Sequence, residues 1–114
     1  MNVLIIDDEQ FIAELVKDWL EERGYGVKLA YSGGDGRRAI AEARPDVILL
    51  DAVLPDMKGI DLLREIRENP DTKYIKIIMI SADDTVSQAI KYGADDFIIK
   101  PLSINKLIEK LNLK

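Results

Sequence analysis

Four stretches of the chain are almost continuously apolar: Val3-Leu4-Ile5-Ile6, Val47-Ile48-Leu49-Leu50, Ile75 to Ile80, and Phe97-Ile98-Ile99. Polar residues do not alternate through them. Such runs predict strands buried on both faces, as in a parallel sheet. Val27 to Ala30 predicts a fifth, more weakly patterned strand. The segments between them carry helical spacing. From about Gln10 to Arg23, Phe11, Ile12, Leu15, Val16, Trp19 and Leu20 recur at i, i+3 and i+4, which predicts a core-facing stripe. Gly24 follows as the residue that closes this helix.

Further helices are predicted over about Gly36 to Ala43, ahead of Pro45, and over Ile60 to Glu68, with Leu62, Leu63 and Ile66 inward. A short helix from Thr85 to Tyr92 is ended by Gly93. The last helix, about Ser103 to Leu111, is capped by Ser103 and carries Ile104, Leu107, Ile108 and Leu111 on one side. Ser32-Gly33-Gly34-Asp35-Gly36 lacks the lysine and spacing of a phosphate-binding loop, so it reads as the lead-in to a helix. Five strands alternating with five helices predict an α/β domain with a doubly wound parallel sheet.

The strand ends carry the chemistry. Asp51 ends the Val47 run, Asp7 and Asp8 end the first, Ser81 the fourth and Lys100 the last. Alone, Asp51 reads equally as the start of a turn. In an open parallel sheet, however, the carboxyl ends of the strands are where ligands bind, and all four converge there. Three carboxylates in close approach repel one another and call for a cation. A hard divalent ion with oxygen ligands meets that need, and Mg²⁺ is the usual one beside phosphates. Lys100 adds a second positive charge and Ser81 a hydroxyl donor. These are the parts of a phosphoryl-transfer site in which an Asp carboxylate is the nucleophile. Asp95 and Asp96 fall outside this set and read as a solvated turn.

Composition narrows the classes. The 114 residues are 47% hydrophobic, enough for one domain, 1–114, with a real core. A net charge of −5 disfavours direct nucleic-acid binding and suits a cation site. With no Cys and no His, thiolate and imidazole chemistry are excluded. No apolar segment approaches the length of a membrane span, and the amino terminus lacks a signal-peptide pattern, so a cytoplasmic location is expected.

The pieces Val3-Leu4-Ile5-Ile6-Asp7-Asp8-Glu9, Asp51-Ala52-Val53-Leu54-Pro55-Asp56-Met57-Lys58-Gly59, Ser81-Ala82 and Gly93-Ala94-Asp95-Asp96-Phe97-Ile98-Ile99-Lys100-Pro101, in that order, strongly resemble the receiver domain of two-component response regulators. The resemblance covers essentially the whole chain. It implies the flavodoxin-like and CheY-like (βα)5 fold with strand order 2-1-3-4-5. It implies that Asp51 is the phosphoacceptor and that Asp7, Asp8, Asp51 and the Val53 carbonyl bind Mg²⁺, with Asp8 the direct ligand of the acidic pair. Lys100 would pair with a phosphoryl oxygen, Ser81 would be the switch hydroxyl and Phe97 the switch aromatic, although Phe97 also suits plain core. The Lys100–Pro101 peptide would be cis. The phosphodonor would be a phosphohistidine on a sensor histidine kinase or phosphotransfer protein, or a small acyl phosphate. The output would be a contact with a downstream protein target. Such a chain promotes its own phosphorylation and dephosphorylation but is mainly a switch, either free-standing or part of a longer regulator.

One departure stands out. Only 19 positions separate Ser81 from Lys100, about one helical turn fewer than the family pattern, or on the order of 5 Å of helix. The shortening falls near the fourth helix, on the family's usual output surface. Two residues past Asp51 and Ser81 stand Val53 and Asp83, the positions that the resemblance implies would border the approach of a hydrolytic water. Other classes fit less well. A flavodoxin-like electron carrier needs a hydroxyl-rich loop after Ile6, and a haloacid-dehalogenase-type phosphatase needs an Asp where Val53 stands. A receiver-like binding module that works without phosphate remains the alternative.

Overall fold

The computed structural model describes residues 1–82 and 84–112, without the side chains of 84–86. Asp83, one of the two residues expected to border the water approach, lies outside the described residues. The elements alternate: β1 (Asn2–Ile6), α1 (Gln10–Glu22), β2 (Gly26–Ala30), α2 (Gly33–Glu42), β3 (Val47–Asp51), α3 (Gly59–Glu68), β4 (Lys76–Ser81), a 3-10 helix (Asp84–Tyr92), β5 (Asp96–Ile99) and α4 (Ile104–Asn112). All strand pairs are parallel and the order is β2-β1-β3-β4-β5. The expected fold and strand order are therefore present.

The two faces of the sheet are buried by different side chains of the same strands. Leu4, Ile6, Ile48, Leu50, Ile77 and Met79 pack with Ile40, Leu62, Leu63, Ile66 and Ala89, on the side of α2, α3 and the 3-10 helix. Val3, Ile5, Val47, Leu49, Ile78 and Ile80 pack with Ala13, Val16, Leu20, Leu107 and Leu111, on the side of α1 and α4. This double burial is why the strand runs carry no polar alternation.

The core-facing stripe of α1 differs from expectation. Ala13, Val16 and Leu20 are buried, whereas Phe11 is 73% exposed and Ile12 is also exposed. Trp19 is half-buried against the same cluster. Ala13, Val16 and Leu20 define the buried face, and Phe11 and Ile12 fall outside it. The fourth helix is wound as a nine-residue 3-10 helix. At about 2.0 Å rise per residue it spans roughly 18 Å, against roughly 14 Å for an α-helix of the same length. Of the expected solvated turn at Asp95 and Asp96, Asp95 does lie exposed at the bend before β5, but both carboxylates are engaged. Asp95 pairs with Arg67 and accepts the Ile77 amide, while Asp96 begins β5 and pairs with Lys110. Ser32 caps α2 through the Asp35 amide, 3.1 Å away, and Ser103 receives the Lys106 amide at the start of α4. Gly24, at φ +90°, takes the left-handed conformation that ends α1.

Candidate functional site

β1 and β3 are adjacent and in register, so their carboxyl ends deliver acidic residues to one place. Asp7 continues the ladder beyond Ile6 by donating its amide to the Ala30 carbonyl at 2.9 Å. Asp51 is the last residue of β3, and its carboxylate is nearly buried, as is that of Asp7. Asp8 stands beside them, exposed. One carboxylate oxygen from each of Asp7, Asp8 and Asp51 lies within 4.8 Å of the others. These are hard oxygen donors at a spacing that one small cation can span.

The electrostatics agree with the geometry. The Asp7 carboxyl is pushed up to about 7, first by burial and further by the charge and hydrogen bond of Asp51. The Glu9 amide, 2.9 Å from Asp7 Oδ1, opposes that rise without cancelling it. Without a cation, Asp7 thus keeps its proton through the mildly acidic range and gives it up only around neutral pH. Asp51 Oδ1 accepts the Val53 amide at 3.1 Å. On the other side, Lys100 Nζ lies 3.5 Å from Asp51 Oδ2 and 2.8 Å from Glu9 Oε1. Burial disfavours the Lys100 charge, but the Glu9 hydrogen bond and the charges of Asp51, Asp7 and Glu9 outweigh it and raise its pKa.

Ser81 ends β4 next to this group. It is buried, sits one position past Ile80, the register partner of Asp51, and its carbonyl accepts the Lys100 amide at 2.7 Å. Phe97 lies in β5 opposite Met79, half-buried against the core on the side of the 3-10 helix. The Lys100–Pro101 peptide is cis. The loop after β3 is braced in two ways. Val53 bridges Lys58 in antiparallel fashion, with its side chain 72% exposed. Gly59 packs where a Cβ would collide with the Asp51 carbonyl oxygen.

The structure thus brings together Asp7, Asp8, Asp51 and Lys100, with Val53 and Ser81 at their margin and Phe97 farther along β5. Two further residues belong to the neighbourhood and were not singled out from the sequence. Glu9 is the nearer carboxylate to Lys100; its signal was the third acidic residue in the Asp7-Asp8-Glu9 run. Asp56 receives the Gly33 and Gly34 amides at 2.8 and 2.9 Å and so ties the loop after β3 to the start of α2. Those amides, Gly33 first, hold its carboxyl below the ordinary range. Its signal was a carboxylate placed opposite a glycine pair, which only the fold reveals.

Residues 3–112 match the family model described as response regulator receiver domain. The chain belongs to the response regulator receiver family. It is 40% identical over 118 residues to a probable transcriptional regulatory protein, TcrX, of Mycobacterium tuberculosis, covering 97% of this chain but only 48% of that protein. The chain therefore spans about half the length of this curated relative. Among solved structures, the receiver domain of Francisella response regulator 1452 superposes with a TM-score of 0.90 at 33% identity, covering 97% of this chain and 93% of the other. A signal receiver domain of a histidine kinase from Syntrophus aciditrophicus gives a TM-score of 0.88 at 34% identity, with 96% and 86% covered. A receiver domain of two-component systems, whose relatives work with histidine kinases and downstream effectors, is thus the frame in which the acidic site is to be read. Among the described residues, no helix is long and apolar enough to cross a membrane.

Proposed function

We propose that residues 1–114 form a receiver domain that accepts a phosphoryl group on Asp51 and, once phosphorylated, changes a protein-binding surface. The observation that carries this reading is the group of Asp7, Asp8 and Asp51, closed on its other side by Lys100. Phosphoryl transfer needs little covalent chemistry from a protein beyond a placed nucleophile and charge neutralisation. The donor set fits Mg²⁺: Asp7, Asp8 and Asp51 would hold it, with the Val53 carbonyl as a further ligand. Bound there, the ion would supply the charge that lets an anionic donor approach three carboxylates.

The chain's own groups do the rest. The Val53 amide fixes one oxygen of the Asp51 carboxylate, and Lys100 stands 3.5 Å from the other. An Asp51 oxygen attacks the phosphorus of a donor phosphohistidine. The O–P bond forms, the N–P bond breaks, and the imidazole leaves, taking a proton. Lys100 then pairs with a phosphoryl oxygen. Ser81 donates its hydroxyl to another, and Phe97 moves with it to alter the surface of β5 and the 3-10 helix. The donor would be a sensor histidine kinase or phosphotransfer protein acting in the cytoplasm, and the receiver of the signal a downstream protein.

The test is incubation with acetyl phosphate, with Mg²⁺ or with EDTA, followed by intact mass. The reading expects one phosphoryl adduct that needs Mg²⁺. It expects Asp8→Ala to raise the Mg²⁺ concentration required by about tenfold or more, as loss of a direct ligand should. A chain that stays unmodified at saturating Mg²⁺ and donor would instead be a binding module that works without phosphate.

A further inference from the structure

Lys100 faces two carboxylates and is closer to the one outside the proposed Mg²⁺ ligands. Its Nζ is 2.8 Å from Glu9 Oε1 and 3.5 Å from Asp51 Oδ2. The first distance is that of a charge-assisted hydrogen bond, and the second is at the limit of one. Glu9 is held in place for this. It precedes α1, and its amide donates to Asp7 Oδ1, so its Cα is fixed beside the acidic group. Its side chain makes no helix-capping hydrogen bond, which leaves the carboxylate for Lys100. It is also 53% exposed, against 7% for that of Asp51, so an incoming group displaces it into water at small cost.

We propose that Glu9 is a positioning residue that holds Lys100 away from Asp51 in the resting chain, and that an arriving phosphoryl oxygen takes the lysine from it. This rests on the phosphoryl-transfer reading above and adds a competitor to it. The competition raises the donor concentration needed for phosphorylation, because Lys100 must exchange one anion for another. Exposed ion pairs are worth about 0.2–1 kcal/mol, which converts to roughly 1.5- to 5-fold in that concentration.

The experiment compares wild type, Glu9→Gln, Lys100→Ala and the double variant, with acetyl phosphate at saturating Mg²⁺. The readouts are the half-saturating donor concentration and the maximal rate constant from intact mass. Glu9→Gln should lower half-saturation by about 1.5- to fivefold in the wild-type background. In the Lys100→Ala background it should have no effect. The same fold-change in both backgrounds would mean that Glu9 acts only as a nearby negative charge and would overturn the proposal. So would no change in either. In the Mg²⁺-free protein, the Lys100 side-chain ¹⁵N resonance reports the pair without any phosphorylation. It should shift in Glu9→Gln, and an unchanged resonance would also overturn the proposal. A wild type that takes up no phosphoryl group would remove the underlying reading. That outcome is distinct from a labelled wild type whose half-saturation Glu9→Gln leaves unchanged.

Discussion

Asp7 is the residue on which the electrostatics of the site turn. Its carboxyl is raised from 3.8 to about 7, chiefly by burial and then by Asp51. Between those two values the folded chain holds a proton that the unfolded chain has lost. Stability therefore falls as pH rises through this window, and the destabilisation is complete above the folded value. Asn at this position does not titrate. In Mg²⁺-free buffer, Asp7→Asn should melt above wild type by about 4 °C at pH 8, the shift that roughly 1 kcal/mol produces in a domain of this size, and by much less at pH 5. A difference independent of pH would contradict the raised value. Val53 makes a separate prediction. It is apolar, branched and exposed, two residues past Asp51, and offers nothing to orient a water in line with a phosphoryl group. Val53→Asn should speed loss of the phosphoryl group severalfold without preventing its addition, as followed by the decay of the adduct after donor removal. Equal decay in both proteins would show that Val53 does not limit water access. These residues stood out in the sequence because each sits at or just past a strand end. Glu9 and Asp56 did not, because their partners, Lys100 and the Gly33–Gly34 amides, are distant in sequence.

The strands were legible because burial on both faces writes a continuous apolar run, which little else produces. Helix α1 was harder. Its apolar positions cover more than one face, so spacing alone favoured Phe11 and Ile12 over Ala13. Those two are exposed, and Ile12 lines a cavity of about 280 Å³ with Leu15, Trp19 and Leu102. The shortened stretch before β5 was visible as a count, but its 3-10 winding was not. What anchors that stretch is Arg67. From α3 it donates to the carbonyls of Gly93 at 2.7 Å, Ile75 at 2.6 Å and Lys73 at 2.9 Å, and it pairs with Asp95 at 2.8 Å. It thus joins α3, the start of β4 and the turn between the 3-10 helix and β5. Arg67→Met should cost about 2–3 kcal/mol in urea unfolding, because several partners are lost at once. Arg67→Lys should recover little of that, since an ammonium cannot reproduce the planar fork. A cost below about 0.5 kcal/mol for Arg67→Met would show that this region does not depend on the fork.

The whole molecule explains why a site exists at all. The order β2-β1-β3-β4-β5 places β3 at the centre of the sheet, with β1 on one side and β4 on the other. Parallel strands align their carboxyl ends, so Asp7 and Asp8, Asp51, Ser81 and Lys100 meet although they are spread over most of the chain. The apolar interior beneath them makes the carboxylates costly to charge, and that cost is the reason a cation and a phosphoryl group would be accommodated there. The central claim is that Asp51 is the atom-bearing acceptor. It is tested most directly by locating the modification. The protein is treated with acetyl phosphate and Mg²⁺, reduced with borohydride, which converts an aspartyl phosphate to homoserine, and sequenced by tandem mass spectrometry. The account predicts homoserine at position 51 alone, and none in Asp51→Asn. Homoserine at another aspartate, or stoichiometric phosphorylation that persists in Asp51→Asn, would contradict it.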